Sequence, residues 1–204
     1  EVPRAALRRR LDDLIAMAGL TGRERQLAAN LSGGWKQRLA LGCAIVHEPP
    51  LLFLDEPTAG VDPVSRRNFW TMIFGLASGG VTVFATTHYL DEAEHADRVA
   101  MIDGGVLRAL ATPADLKAHY LRGQLLGVDC ADPRRALEVL RQVPGVLDVS
   151  LYGASLHVLA PAGDPARIRD VLDRAGIAVE RVAPIAPTLE DVFISLMGEG
   201  NAVR

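Results

Sequence analysis

The chain has 204 residues with 22 basic and 25 acidic side chains, and its formal charge of −3 is too balanced for a nucleic-acid-binding arm or a polybasic membrane anchor. Hydrophobic residues make up 49% of the sequence, which is enough for a core and argues against disorder. The two cysteines lack C-x-x-C spacing, so neither a disulfide scaffold nor a structural zinc site is expected. We expect a soluble globular protein without a signal peptide or a membrane span.

Hydrophobic periodicity in residues 1–123 predicts helices that alternate with strands. The predicted elements are, in order, a helix over 7–18, a helix over 35–47, a strand over 51–54, a helix over 64–76, a strand over 81–86, a short helix over 90–96 and a hairpin of strands at 99–102 and 106–109. The apolar run at 51–54 predicts a strand buried on both faces, and residues 81–86 are predicted to form another buried strand. This order predicts an α/β domain with a mainly parallel, helix-covered sheet.

Residues 124–204 contain an internal repeat and form a predicted second domain. Asp132-Pro133 and Asp164-Pro165 each open a helix with one apolar face. Predicted strands at 125–129, 146–151, 156–159 and 178–182 flank these helices. The resulting β-α-β-β-α-β order is that of an α+β ferredoxin-like sandwich.

A final helix begins at Thr188, whose hydroxyl caps it while Asp191 completes a capping box. The second domain shows no catalytic constellation. His157 is a lone histidine in a strand, and we interpret it as an ordinary packed or exposed side chain.

Asp55 and Glu56 are the first candidates for chemistry, because they stand at the carboxyl end of a predicted strand, where open α/β sheets bind ligands. Successive strand side chains point to opposite faces, so one carboxylate could hold a metal ion while the other accepts a proton. The alternative is an ordinary strand-end pair that caps the next turn.

Ser32-Gly33-Gly34 is the second candidate. Serine is a favourable N-cap, and glycines let an anion approach the backbone amides at the start of a helix. The alternative is an ordinary capped turn.

His88 is the third candidate, since it follows the strand at 81–86. If this strand lies beside the strand at 51–54, the imidazole and the carboxylates of Asp55 and Glu56 converge at one sheet edge. A rival interpretation is a zinc cluster of His88, Asp91, Glu92 and His95. The H-E-x-x-H spacing is absent, and acids in a first helical turn commonly complement the helix dipole, so the first interpretation is preferred.

Four segments in this order resemble motifs of ABC transporter ATP-binding subunits. They are LSGGWKQR at 31–38, LLFLDEPT at 51–58, AGVD at 59–62 and TTH at 86–88, which are similar to the signature, Walker B, D-loop and switch-histidine motifs. The sequence TLEDVF at 188–193 is similar to the C-terminal extension of drug-resistance and ABC-2 type exporters. The resemblance implies a partial P-loop NTPase-type sheet in residues 1–123.

The same resemblance implies roles for individual residues. Asp55 would hold Mg²⁺, Glu56 would polarise the attacking water, and His88 would contact the γ-phosphate. Asp62 would communicate with the facing subunit. The residues that would close on the γ-phosphate of ATP held by that subunit are Ser32, Gly33 and Gly34.

The implied function is ATP hydrolysis that drives export through separate membrane-spanning permease subunits. The implied partners are those permeases and a second ATP-binding subunit in a head-to-tail dimer, at the cytoplasmic face of the plasma membrane and without direct insertion. No nucleic acid is expected. The alternative is a non-transport ABC protein or a non-catalytic module for regulation or assembly.

The 204 residues contain no G-x-x-x-x-G-K-[ST] sequence, which supplies the cradle for the β and γ phosphates. The chain also begins with Glu1 rather than methionine. We therefore expect a fragment of a longer protein, and we expect the fragment alone neither to bind ATP tightly nor to hydrolyse it.

Overall fold

A computed structural model describes residues 4–161 and 163–198. The chain forms two compact units, residues 1–92 and 93–204, and each is described by itself. Residues 199–204 of the predicted second domain lie outside the described residues. The predicted division into one domain of residues 1–123 and a second domain of residues 124–204 stays a prediction.

The first unit contains helices and two short strands. Its elements are α1 (Arg4–Met17), a 3₁₀ turn (Ala28–Asn30), α2 (Gly33–Ile45), β1 (Leu51–Asp55), α3 (Pro63–Ser78), β2 (Thr82–Thr86) and α4 (Leu90–Ala93). Strands β1 and β2 pair in parallel, with Leu51 opposite Thr82 and Asp55 opposite Thr86. The predicted order of helices and strands is confirmed, although α2 begins at Gly33 rather than Trp35.

One face of the β1–β2 pair packs against α2 and α3. The buried residues of this core are Leu41, Ile45, Leu52, Phe69 and Ile73. On the opposite face, Phe53 is 69% exposed and Phe84 is 54% exposed. The prediction that β1 is buried on both faces and that β2 is another buried strand is therefore wrong for this unit, because its helices cover only one side of the strands.

The second unit begins with a hairpin and continues into a four-stranded sheet. Its elements are β3 (Val99–Asp103), β4 (Val106–Ala111), α5 (Pro113–His119), β5 (Gln124–Cys130), α6 (Pro133–Arg141), β6 (Asp148–Tyr152), β7 (Ser155–Ala160), α7 (Pro165–Arg174), β8 (Val179–Pro184) and α8 (Leu189–Gly198). The strand order of the sheet is β6-β7-β5-β8, and every neighbouring pair is antiparallel. The predicted hairpin is confirmed, whereas α5 was not predicted.

Helices α6 and α7 pack on the sheet through the predicted apolar positions. The buried core consists of Leu126, Val128, Ala136, Leu140, Val149, Leu156, Val158, Ile168, Leu172 and Ile177. The Asp-Pro openings act as predicted, because Asp132 and Asp164 accept hydrogen bonds from backbone amides in the first turns of α6 and α7.

The predicted capping box at the start of α8 is confirmed. The Thr188 amide donates to Asp191 Oδ2 at 2.8 Å, and the Asp191 amide donates to Thr188 Oγ1 at 3.3 Å. Within residues 4–161 and 163–198, no helix combines the length and the apolar character that a bilayer span needs.

Candidate functional site

Strands β1 and β2 end at the same edge because they run parallel and in register. The Thr86 hydroxyl donates to Asp55 Oδ1 at 2.5 Å. The backbone amide of Glu56 donates to the Thr86 carbonyl at 3.2 Å and to Thr86 Oγ1 at 3.0 Å. These bonds fix the backbone where the two candidate acids leave β1.

Glu56 and His88 lie together at this edge. His88 Nδ1 is 3.3 Å from Glu56 Oε2, and both side chains are about half exposed, at 55% and 51%. The predicted approach of the imidazole to Glu56 is therefore confirmed, and Asp55 ends β1 at the same edge. Glu56 also has a φ of +40°, which is uncommon for a residue with a side chain, and such backbone strain often occurs at functional sites.

The carboxylate of Asp55 suits a Mg²⁺ ion, whereas the alternative zinc cluster is not formed among the described residues. Its carboxylate is exposed, and only Oδ1 accepts a hydrogen bond from the described residues. Mg²⁺ usually keeps several waters and takes one or two protein carboxylates, so a single acid is sufficient. No group of three or more His, Cys, Asp or Glu among the described residues is arranged to hold a metal ion, so the alternative cluster around His88 and His95 does not form there.

The start of α2 is open at Ser32 and Gly33. The Ser32 side chain makes no capping bond, and a Cβ added at Gly33 would meet no atom within 4 Å. Both residues are exposed. The chain at Ser32 and Gly33 is therefore open to an anion, which the helix dipole favours.

Gly34 is buried and has a packing constraint of its own. A Cβ at this position would lie 2.7 Å from Ser65 Cβ and 2.8 Å from Ser65 Oγ. The absence of a side chain thus allows α2 to approach the start of α3. The predicted role of Gly34 toward a phosphate stays a prediction.

Asp62 forms the N-cap of α3. Its Oδ1 accepts from the Ser65 amide at 2.9 Å and from the Val64 amide at 3.1 Å. Bonds from the backbone and hydroxyl of Ser65 hold the pKa of Asp62 below its ordinary value. Its predicted role toward a facing subunit stays a prediction.

The site residues thus form two groups. Glu56 and His88 meet at the sheet edge where Asp55 ends β1, and Gly34 of the signature segment packs against Ser65 beside the Asp62 cap. Among the described residues, no hydrogen bond or ion pair joins the two groups.

Sequence reasoning missed the structural role of Glu92. This residue is only 7% exposed, and its carboxylate accepts hydrogen bonds from the hydroxyls of Thr58 and Thr87, each at 2.6 Å. The sequence indicates for Glu92 only a zinc ligand or a helix-dipole partner. No periodicity or spacing identifies this network, because Thr58 and Glu92 are 34 positions apart.

His157 is packed, as interpreted, but it also has a specific partner. It is 8% exposed, and its Nδ1 lies 2.7 Å from Asp191 Oδ1. The ring of Tyr152 stacks on it at a centroid distance of 4.4 Å. The contact with Asp191 joins β7 to the capping box of α8.

Two known protein families match separate parts of the chain. Residues 3–59 match the family described as ABC transporter, and residues 112–197 match the family described as ATP-binding protein DrrA1-3-like, C-terminal domain.

Two curated relatives cover nearly all of the chain. The daunorubicin resistance ATP-binding protein DrrA3 of Streptomyces coeruleorubidus is 34% identical over 202 residues, which span 97% of this chain and 63% of that protein. The daunorubicin/doxorubicin resistance ATP-binding protein DrrA of Streptomyces peucetius is 36% identical over 204 residues, which span 95% of this chain and 60% of that protein. The chain thus spans less than two thirds of the length of either relative.

A solved ATP-binding subunit of an ABC transporter has the same fold over part of the chain, with a TM-score of 0.52 and 29% sequence identity. The match covers 58% of this chain and 50% of that structure. The two family matches, the two relatives and this fold make the chain similar to ABC transporter ATP-binding proteins that carry a C-terminal domain of the DrrA type.

Proposed function

We propose that this chain is part of the ATP-binding and hydrolysing subunit of an ABC exporter. The observation that carries the proposal is the meeting of Glu56 and His88, 3.3 Å apart, beside Asp55 at the carboxyl edge of β1 and β2. Phosphoryl transfer depends mainly on positioning and on the neutralisation of charge, and these side chains suit both tasks.

Each residue has a proposed part in hydrolysis. Glu56 accepts a hydrogen bond from the attacking water and orients it, and His88 uses its second ring nitrogen toward a phosphate oxygen. Asp55 Oδ2, which accepts no hydrogen bond from the described residues, would hold Mg²⁺ directly or through water. Mg²⁺, when bound, neutralises charge on the phosphate oxygens.

In this proposal, the start of α2 contacts the ATP that the second subunit holds. Ser32 and Gly33 are exposed residues at a helix N-terminus, and their backbone amides would close on the γ-phosphate of ATP held by the facing copy. ATP would stabilise the closed head-to-tail dimer, and its hydrolysis would release the dimer. This cycle would drive separate permease subunits at the cytoplasmic face of the plasma membrane.

The proposed cargo belongs to the class of exported small molecules. The relatives include proteins named for daunorubicin resistance and for Nod factor export. These names support export rather than import, and the choice among cargoes would lie with the permease subunits.

The test compares three proteins in one ATPase and nucleotide-binding experiment. A longer form that contains the phosphate loop should hydrolyse ATP, whereas its Glu56→Gln variant should bind ATP and lose about a hundredfold or more in turnover. The 204 residues alone should show neither tight binding nor turnover, because they lack the G-x-x-x-x-G-K-[ST] sequence. Unchanged turnover in Glu56→Gln would refute the assigned role, and micromolar ATP binding by the 204 residues would refute the predicted inactivity of the fragment.

For residues 124–204 we propose a ferredoxin-like module that serves regulation or subunit contact. The β6-β7-β5-β8 order and the placement of α6 and α7 against one core support this fold. Deletion of the module from the longer protein should leave basal ATP hydrolysis largely intact and alter transport or dimer stability. Complete loss of hydrolysis, measured on a deletion protein that still folds by circular dichroism, would contradict this role.

A further inference from the structure

Glu92 lies between the two loops that carry the proposed catalytic groups. Thr58 follows Glu56 in the loop after β1, and Thr87 precedes His88 in the loop after β2. The hydroxyl of Thr58 donates to Glu92 Oε1, and the hydroxyl of Thr87 donates to Glu92 Oε2, both at 2.6 Å. The carboxylate thus holds both loops, one with each oxygen.

Because Glu92 is buried, the loss of either of these two hydrogen bonds is costly. Glu92 is 7% exposed and Thr58 is 1% exposed, so water does not readily replace a lost partner. Hydrogen bonds to a charged acceptor are stronger than neutral ones, and a buried carboxylate that loses a donor is strongly disfavoured. The separation of the two loops is therefore tightly restrained.

A second set of contacts holds the His88 loop to α3. Arg66 Nη2 lies 3.3 Å from Asp91 Oδ2, and its guanidinium lies 4.5 Å from the centroid of the Tyr89 ring. The centroid of the Tyr89 ring lies 4.1 Å from the centroid of the His88 ring, and the Tyr89 amide donates to Thr87 Oγ1 at 3.0 Å. Movement of Thr87 would therefore also displace the backbone next to His88.

We propose that Glu92 is a positioning residue that sets the distance and orientation of His88 relative to Glu56. This inference rests on the proposed ATPase function. Glu92 touches neither of the proposed reacting groups through a hydrogen bond, and it acts through Thr58 and Thr87. Proposed catalysis at this edge depends on geometry, and displacements of about 1 Å can lower a rate by about a hundredfold.

The experiment removes one hydroxyl at a time in the longer, phosphate-loop-containing protein. Thr58→Val and Thr87→Val keep the side-chain shape and each delete one bond to Glu92. We expect each change to lower kcat by about tenfold while the KM for ATP changes by less than about threefold, because the proposed catalytic geometry is lost rather than the affinity. Thr58→Ser and Thr87→Ser retain a hydroxyl and should recover most of kcat.

Non-additivity provides the second readout. If Glu92 acts as one clamp, the Thr58→Val/Thr87→Val double variant should lose no more than Glu92→Gln, and less than the product of the two single effects. Thr71→Val is the matched control, since among the residues that the structure describes the Thr71 hydroxyl bonds only to the Arg67 carbonyl on α3. It should keep the wild-type kcat.

The outcomes separate the two proposals. Loss of turnover in Glu56→Gln together with wild-type kcat in both valine variants would overturn the positioning role alone. Retained turnover in Glu56→Gln would overturn the proposed function itself. A valine variant with a lowered melting temperature but normal kcat would assign Glu92 to stability only, and equal loss in the serine and valine variants would also count against positioning through hydroxyls.

Discussion

At the scale of single residues, Gly34 shows how one missing side chain sets the approach of two helices. A Cβ at this position would lie 2.7 Å from Ser65 Cβ, which is closer than packed atoms tolerate. Gly34→Ala should therefore force α2 away from α3 and lower the free energy of unfolding by about 2 kcal/mol. Chemical denaturation of the 204-residue chain measures this change.

Gly33→Ala is the matched control for Gly34→Ala, because its added methyl group enters open space. It should change stability little. Ser65→Gly removes both of the atoms that would lie closer than 3.0 Å to the new methyl group, so the cost of Gly34→Ala should be smaller in that background. Equal costs in the two backgrounds would show that the clash with Ser65 is not the cause.

At the scale of elements, α8 is joined to the sheet through a buried polar contact. His157 of β7 pairs with Asp191, which also completes the capping box of α8. His157→Leu should leave the Asp191 carboxylate buried with fewer partners, and it should lower the free energy of unfolding by about 2 kcal/mol. Hydrogen exchange of the α8 amides should become faster than in the native chain.

His119→Leu is the control for this contact, since His119 is exposed at the end of the short helix α5 in the same unit. It should change neither the denaturation midpoint nor the exchange of α8. Similar losses in both variants would mean that the pairing with Asp191 contributes nothing specific.

The elements that were predictable from sequence share a local signal. Helices α6 and α7 are predicted by Asp-Pro at their start and by an apolar face, and α8 is predicted by its capping box. The exposed face of β1 was not predictable, because an apolar run does not tell which of its two faces is covered.

The candidate site was likewise predictable from the sequence only in part. The motif positions and their order predicted the edge where Glu56 and His88 meet, because parallel neighbouring strands end on one side of a sheet. The bonds of Glu92 to Thr58 and Thr87 could not be predicted, since they depend on how two loops pack and not on spacing along the chain.

At the scale of the whole molecule, the two units differ in how completely they bury their sheets. The central strand β7 of the second unit is buried over most of its length, whereas β1 and β2 of the first unit expose alternate side chains. Exposed apolar patches commonly mark surfaces that another part of a protein covers. In the proposed longer protein, the segment that carries the phosphate loop would supply that cover.

This difference leads to a prediction about Phe53 and Phe84. Their rings lie 5.7 Å apart on the exposed face and are 69% and 54% exposed. The 204-residue chain should therefore self-associate, and Phe53→Ser/Phe84→Ser should weaken association by about 2 kcal/mol, more than tenfold in Kd, as measured by analytical ultracentrifugation. In the longer protein the same pair of substitutions should instead lower the melting temperature, because the rings are then part of a covered core.

Leu107→Ser, at a position that is 54% exposed on β4, should have neither effect. Substitutions that left the association of the short chain and the melting temperature of the long one unchanged would show that this face is not the surface on which the proposed phosphate-loop segment packs.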